Sequence, residues 1–326
     1  MSKSDRDYPA ELSVAALHIF LDWFGHTSAR STKILEKTLS ENQDLLQANI
    51  QVGRQWDLSC TVIDTLSIES DLSYESARAA VEARLDSEEL SIALWPPRAA
   101  PLPQGEPGLS ELILAIRDAK QVSNDDTRLE IRRPVHIYLR RTSTTGSVVT
   151  VLGGLSSLWA QFTNRVPGSF QLESTELHRL PHNEEEREEL IESIVNASTQ
   201  PDVDDGRTLP AIDAWTAVWL REPDLATVMG SPRPTSDTQA SSLRRNLRKL
   251  LISQKDVQKN TEQPSALIVI GSAVTVDEEK LSWVIKGMDP SLYAGFSIIV
   301  VIVDGLVKPV IVPQEGSLPW DVPLPN

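Results

Sequence analysis

The carboxylates best placed for catalysis lie in the second half of the chain. Asp213, Glu222 and Asp224 follow one another closely in the sequence. Carboxylates bind divalent cations such as Mg²⁺, and a metal ion held in this way can activate water and hold a scissile phosphate. One hypothesis is therefore a Mg²⁺-dependent phosphodiesterase or nuclease. No Glu-x-Lys sequence accompanies Asp213, so the lysine that such a centre usually contains is missing.

A second group of residues suggests binding rather than catalysis. The spacing predicts a helix over residues 238–253, with leucines on one side and cations on the other. Trp320 stands in a proline-rich tail, where its ring either docks on the body or serves as an aromatic anchor for a partner. The candidate binding residues are Arg244, Arg245, Arg248, Lys249 and Trp320.

The remaining motifs are less specific. His178 and His182 are four residues apart, but Pro181 between them favours two separate elements, and the H-E-x-x-H zinc motif is absent. Turns at Gly154 and Gly271 offer backbone amides to an anion, although neither matches a phosphate-binding or dinucleotide-binding motif. A small-molecule enzyme with its site at one of these turns is a third hypothesis.

Composition narrows the classes of protein that remain. The chain has 326 residues, 46 acidic against 31 basic side chains, a net charge of -15 and one cysteine. A single cysteine excludes a disulfide scaffold, and the negative charge argues against a generic nucleic-acid coat. Arginines at 132, 133, 140 and 141 line a predicted hairpin, and we interpret them as protection of a sheet edge rather than as a base-stacking surface.

The acidic and basic residues are segregated along the chain. Residues 173–205 contain eight Glu and three Asp against two Arg, a local charge of -9, whereas residues 240–260 contain six Lys or Arg against one Asp, a local charge of +5. The polar N-terminus and the lack of an apolar run of about 20 residues predict a cytoplasmic protein without a membrane span. We expect two solvated helix faces, or two patches that meet each other or a partner.

Helical spacing of apolar residues predicts helices over residues 9–25 and 31–50, which together form an N-terminal helical hairpin. Strand and helix signals then alternate. The middle of the chain predicts a β-hairpin, in which residues 128–141 return through residues 147–152. Asn183 predicts the start of a helix that ends near Ala197.

The C-terminal segment gives the clearest pattern. Residues 266–270 and 296–303 are continuous apolar strands, a capping box predicts a helix over 275–287, and Asp304-Gly305 predicts a hairpin to a last strand over 306–312. Two fully apolar strands require a sheet that is covered on both faces, and Pro309 places the last strand at an edge.

These patterns predict an α/β protein with a mixed sheet, flanking helices, an N-terminal helical hairpin and a C-terminal β-α-β-β unit. We expect the hairpin over residues 1–55, an α/β domain over 56–198, a linker over 199–210, and a C-terminal α/β unit over 211–326 that forms one body with the domain or stands apart from it. The leading hypothesis for function is a non-catalytic cytoplasmic protein that binds or assembles with another protein. The phosphodiesterase is the alternative.

Overall fold

A computed structural model gives the fold of the chain. It describes residues 8–39, 45–64, 72–97, 100–122, 127–153, 165–220, 223, 225–230, 247–249, 251–252, 263–270, 285–314 and 316–321. Helices and strands alternate along much of the chain, and the strands form two mixed sheets, as an α/β protein with flanking helices requires.

The helices and strands have the following bounds. The helices are α1 Tyr8–Ser28, α2 Leu72–Ser87, α3 Gly108–Val122 and α4 Glu184–Ser198. The first six strands are β1 Thr32–Leu39, β2 Leu45–Val52, β3 Trp56–Asp64, β4 Ile92–Trp95, β5 Arg128–Ser143 and β6 Ser147–Gly153. The last six are β7 Gly168–Ser174, β8 Arg207–Trp219, β9 Thr227–Val228, β10 Ser265–Ile270, β11 Ile298–Val303 and β12 Leu306–Ile311.

The first sheet has the strand order β1-β2-β3-β10-β11-β12. Its centre is parallel, because β10 runs parallel to both β3 and β11. Every side chain of β10 and β11 is buried, so the two apolar strands are shielded on both faces, as their sequences predict. Helix α1 covers one face, and Leu247, Leu251 and Phe296 pack on the other.

The second sheet has the order β6-β7-β5-β8-β4-β9 and is built around the long antiparallel pair of β5 and β8. One face of this pair packs on α2 and α3 at one end and on α4 at the other. The opposite face at the β4 end contributes Trp95 and Val218 to the core that α1 and the first sheet form. The two sheets therefore share a hydrophobic core.

The predicted N-terminal helical hairpin is wrong in its second half. Helix α1 is present, but residues 32–39 and 45–52 fold as the antiparallel pair β1 and β2 instead of a second helix. Leu46, Ala48, Ile50 and Val52 are buried at every second position, which is the period of a strand. Of the apolar residues whose spacing favours a helix, Ile34, Leu35 and Leu39 belong to the mostly exposed edge strand β1.

The predicted hairpin between β5 and β6 is also wrong. Strand β7 lies between them, antiparallel to β5 and parallel to β6. The burial of alternate residues explains this order: Phe170 and Leu172 of β7 are buried, whereas β6 is mostly exposed and takes the edge. The more apolar strand thus occupies the inner position.

Several other predictions are confirmed. Helix α4 starts where Asn183 caps it, with the Asn183 side chain accepting from the Glu185 N–H. The Asp304-Gly305 turn joins β11 to β12, and β12 with Pro309 is an edge strand. The segment 199–210, predicted as a linker, contains a short 3-10 helix, Pro201–Asp204, and the start of β8, and the division into domains at this segment stays a prediction.

Other predictions fall outside the described residues. The helix predicted over 275–287 lies mostly outside the described residues. Among the helices that are described, none combines the length and the apolarity that a bilayer span requires.

Candidate functional site

Asp213, the first of the predicted catalytic carboxylates, lies on β8 with 1 % of its surface exposed. Its Oδ1 accepts the backbone N–H groups of His178 and Arg179, each at 2.8 Å, and its Oδ2 accepts the Trp215 indole N–H at 2.8 Å. Burial alone raises the pKa of the carboxyl, but these hydrogen bonds outweigh it and hold the pKa of Asp213 below its usual value.

These contacts give Asp213 a positioning role. The carboxylate fixes the segment around His178 and Arg179 beside β8, where the Ala214 N–H also donates to the Arg179 carbonyl oxygen at 2.9 Å. Glu222 and Asp224 lie outside the described residues. Within the described ranges, no group of three or more His, Cys, Asp and Glu side chains is arranged to hold a metal ion.

The two histidines separate. His178 Nδ1 is 3.4 Å from Asp213 Oδ2, whereas His182 Nε2 is 2.9 Å from the Arg128 guanidinium. Desolvation, followed by the positive charge of Arg128, holds the pKa of His182 below its ordinary value. The two rings therefore contact different residues on either side of Pro181.

A polar junction connects the two sheets beside His182. The Arg179 guanidinium forms an ion pair with Asp304 at 3.0 Å and also donates to Thr216 Oγ1 at 3.1 Å. Arg128 Nε donates to the Asp304 carbonyl oxygen at 3.2 Å. Asp304 belongs to the turn between β11 and β12, so Arg128 of the second sheet and Arg179 of the segment before α4 both bind the end of the first sheet.

A groove of about 940 Å³ opens between α3 and the outer edge of β5. One wall is the exposed side of α3, where Leu114 is 58 % and Val122 is 86 % exposed. His182 and Asn183 form the opposite side. The residues that line the groove on β5 are Arg128, Leu129, Glu130, Arg132 and Pro134.

The floor of this groove is a strand edge to which no described strand is paired. Strand β7 joins β5 only from Tyr138 onward, so between Arg128 and Pro134 β5 has β8 on one side and none of the described strands on the other. The Trp219 N–H donates to the Thr127 carbonyl, which makes the odd-numbered residues of β5 the ones that bond to β8. Glu130 and Arg132 therefore direct their N–H and C=O groups into the groove.

The groove has an excess of negative charge. In the part of the chain that the structure describes, Glu111 and Asp118 on α3 form no ion pair within 4.0 Å. Both cations on the floor are already engaged: Arg132 pairs with Glu186 at 2.6 Å and with Glu130 at 3.2 Å, and Arg128 contacts the His182 ring and the Asp304 carbonyl oxygen. Helix α4 beside it adds six Glu against one Arg.

The predicted binding residues lie elsewhere. Arg248 and Lys249 are exposed on helical residues whose neighbours Leu247 and Leu251 pack under the first sheet, and Arg244 and Arg245 lie outside the described residues. Of the two placements considered for Trp320, the structure shows docking on the body. Its ring is 1 % exposed and meets Phe24 edge-on, and the Arg30 guanidinium donates to its carbonyl oxygen.

The other predicted residues are placed as follows. Gly154 and Gly271 lie outside the described residues. The arginines of β5 do not protect an outer edge as a group, since β5 lies between β7 and β8 at Arg140 and Arg141. Arg133 instead packs its guanidinium over the Trp215 ring at 4.5 Å.

No family model, no curated protein and no solved structure matches this chain. The groove residues that sequence reasoning missed have a weak signal of their own. Leu114 and Val122 lie off the buried stripe of α3, and Pro134 stands inside a long strand, where proline marks an open edge. What the sequence does not show is that α3 and α4 flank that same edge.

Proposed function

We propose that this protein is a non-catalytic protein-binding protein whose groove between α3 and β5 receives a segment of a partner. The observation that supports this most is the outer edge of β5 from Arg128 to Pro134, which pairs with no strand in the described part of the chain and lies at the bottom of a groove with an exposed apolar wall. Backbone groups without partners and exposed leucine and valine side chains are what a bound segment would cover.

The apolar wall supplies the free energy for such binding. Leu114 and Val122 are both exposed on the same helix and belong to the same groove. Covering a leucine side chain contributes about 1.5–3 kcal/mol, which corresponds to at least a tenfold change in Kd. Leu114 is therefore the residue whose replacement separates groove binding from binding elsewhere.

The alternative, a Mg²⁺-dependent phosphodiesterase that uses Asp213, Glu222 and Asp224, is less favoured. Both carboxylate oxygens of Asp213 accept N–H donors of the protein, so metal binding there would break buried hydrogen bonds. The cytoplasmic location predicted from the sequence is part of the same proposal.

A selection from a displayed library of random twelve-residue peptides tests the proposal. We expect enriched peptides that bind the wild-type protein and lose about tenfold or more in affinity to the Leu114→Asp variant. Leu35→Asp is the matched control, because Leu35 is a leucine 51 % exposed on β1 of the other sheet. The control variant should bind the same peptides as the wild-type protein does.

Two results would overturn the proposal. Enriched peptides that bind both variants equally would place binding outside the groove, and a selection without enrichment would remove the support for a binding protein. Calorimetric titration with Mg²⁺ addresses the alternative: tight uptake that Asp213→Asn abolishes in a folded protein would replace binding with metal-dependent chemistry.

A further inference from the structure

We infer that the partner segment binds as an added β-strand on the outer edge of β5, and that this segment is positively charged. The inference rests on the proposed function and adds to it the conformation and the charge of the ligand. It follows from three observations about the groove: which backbone groups face it, where the open edge ends, and which carboxylates form no close ion pair.

The backbone groups of β5 alternate between two sides. Leu129 and Ile131 belong to the odd-numbered set that bonds to β8, whereas Glu130 and Arg132 direct their N–H and C=O groups into the groove. In the described ranges no backbone group pairs with them. An extended segment satisfies such donors and acceptors in a ladder, which a helical segment does not do because its own backbone groups are bonded internally.

The open edge has a defined end. Pro134 has no N–H and occupies the next groove-facing position. Beyond it, the His136 N–H donates to the Glu176 carboxylate at 3.2 Å, and β7 pairs with β5 from Tyr138 onward. The ladder available to a partner therefore runs from Arg128 to the Pro134 carbonyl, which suits a short extended segment.

The charges of the groove select a cationic segment. Helix α3 has two cations in its second half, and both are engaged outside the groove: Arg117 pairs with Glu88, and Lys120 lies 4.2 Å from the Trp219 ring. Among the described residues, Glu111 and Asp118 on the groove wall form no ion pair within 4.0 Å, and the charge that acts on Glu111 from a distance is that of Arg133. Lysine or arginine side chains of an added strand would neutralise these two carboxylates.

Two synthetic peptides test the inference, both nine residues long with blocked termini. One alternates lysine with valine, and the other alternates glutamate with valine. We expect the lysine peptide to bind the wild-type protein at least about tenfold more tightly, and its affinity to fall with added salt. Residue-resolved amide exchange of the labelled protein should show new protection at Glu130 and Arg132 and none at Leu129 and Ile131, which already bond to β8.

Matched charge reversals locate the effect. Glu111→Lys with Asp118→Lys should abolish the preference for the lysine peptide. Glu188→Lys with Asp205→Lys changes the net charge equally at exposed positions outside the groove lining, and should leave most of the preference in place. Leu114→Asp should weaken binding of the lysine peptide, which excludes adsorption on the acidic surface.

The outcomes separate this inference from the proposed function. If the peptide binds and Leu114→Asp weakens it, but Glu130 and Arg132 gain no protection, strand addition is wrong and groove binding stands. Equal binding of the two peptides, or preference for the glutamate peptide, overturns the charge selection. If library peptides use the groove and neither synthetic peptide binds, the inference fails alone; if the library selection also fails, the proposed function fails with it.

Discussion

The two sheets treat their open edges in different ways. Strands β1 and β12 are the edge strands of the first sheet and face solvent. The open part of β5 in the second sheet lies in a groove between α3 and the start of α4. Strand β1 has a bulge between Ile34 and Glu36 and exposed lysines at 33 and 37, and β12 contains Pro309. Bulges, charges and proline are devices that prevent unwanted strand pairing.

The open edge of β5 has Pro134 at its far end, and its charged side chains are already engaged by other residues. Its cation Arg132 is neutralised, its neighbouring helix exposes Leu114, and no bulge interrupts its register with β8. A strand edge can therefore stay open where flanking helices restrict which other strands can approach it. A groove admits one extended segment, whereas a bare edge admits the edge of any other molecule.

The largest effect is expected from Asp213, which positions the groove side that contains His182. Asp213→Asn keeps the shape of the side chain but leaves one set of N–H donors from His178, Arg179 or Trp215 without an acceptor. We expect a loss of about 2–3 kcal/mol in the free energy of unfolding, measured with urea. Asp118→Asn at an exposed position is the control and should change it by less than about 0.5 kcal/mol.

The pH dependence of this loss gives an independent check. Because the folded-state pKa of Asp213 lies below its ordinary value of 3.8, the unfolded chain binds the proton first as the pH falls. The stabilisation by Asp213 is therefore complete above that ordinary value and is lost as the pH falls through the folded-state pKa. The difference between wild type and Asp213→Asn should shrink on acidification; a constant difference would show that the charge is not what matters.

A smaller effect is expected from Pro134, which ends the open edge of β5. Pro134→Val supplies one more N–H toward the groove, so the lysine–valine peptide should bind more tightly by about 0.5–1.5 kcal/mol in a calorimetric titration. Pro210→Val is the control, because Pro210 lies opposite His136 on β8, away from the open edge. If the affinity stays unchanged, the ladder does not extend past residue 132.

The smallest effect is expected from Pro309, on the protected edge strand β12 of the first sheet. Asp304-Gly305 is a two-residue turn, so Val303 and Leu306 form a hydrogen-bonded pair and Pro309 falls at a position whose nitrogen faces outward. Pro309→Val adds one donor there, and we expect a two- to fivefold rise in self-association, about 0.5–1 kcal/mol, by analytical ultracentrifugation. No rise would mean that proline is not what protects β12.

Local sequence signals account for part of this fold. Continuous apolar runs, an Asp-Gly turn and a helix cap predict β10, β11, β12 and α4, because each is decided by neighbours in the chain. The second predicted helix and the β5–β6 hairpin are wrong since distant packing overrides the local pattern: β2 needs α1 and β3 beside it, and β7 displaces β6 from β5.

The candidate site is harder to predict from the sequence than the fold is. The sequence indicates Asp213 as a candidate carboxylate. Its three N–H donors come from His178, Arg179 and Trp215, and only folding brings the segment 178–179 next to β8. The groove joins α3, β5 and the start of α4, none of which has a motif for it. A site made of backbone edges leaves almost no trace in residue types.

Arg128 belongs to two structures at once, the lining of the groove and the contacts that hold the β11–β12 turn. A ligand strand that recruited its guanidinium would compete with Asp304 for the same donor. Binding of a segment to the second sheet and attachment of the β11–β12 turn of the first sheet would then be thermodynamically linked through this one side chain. Each loosens or tightens its counterpart by the same free energy, whichever is perturbed first.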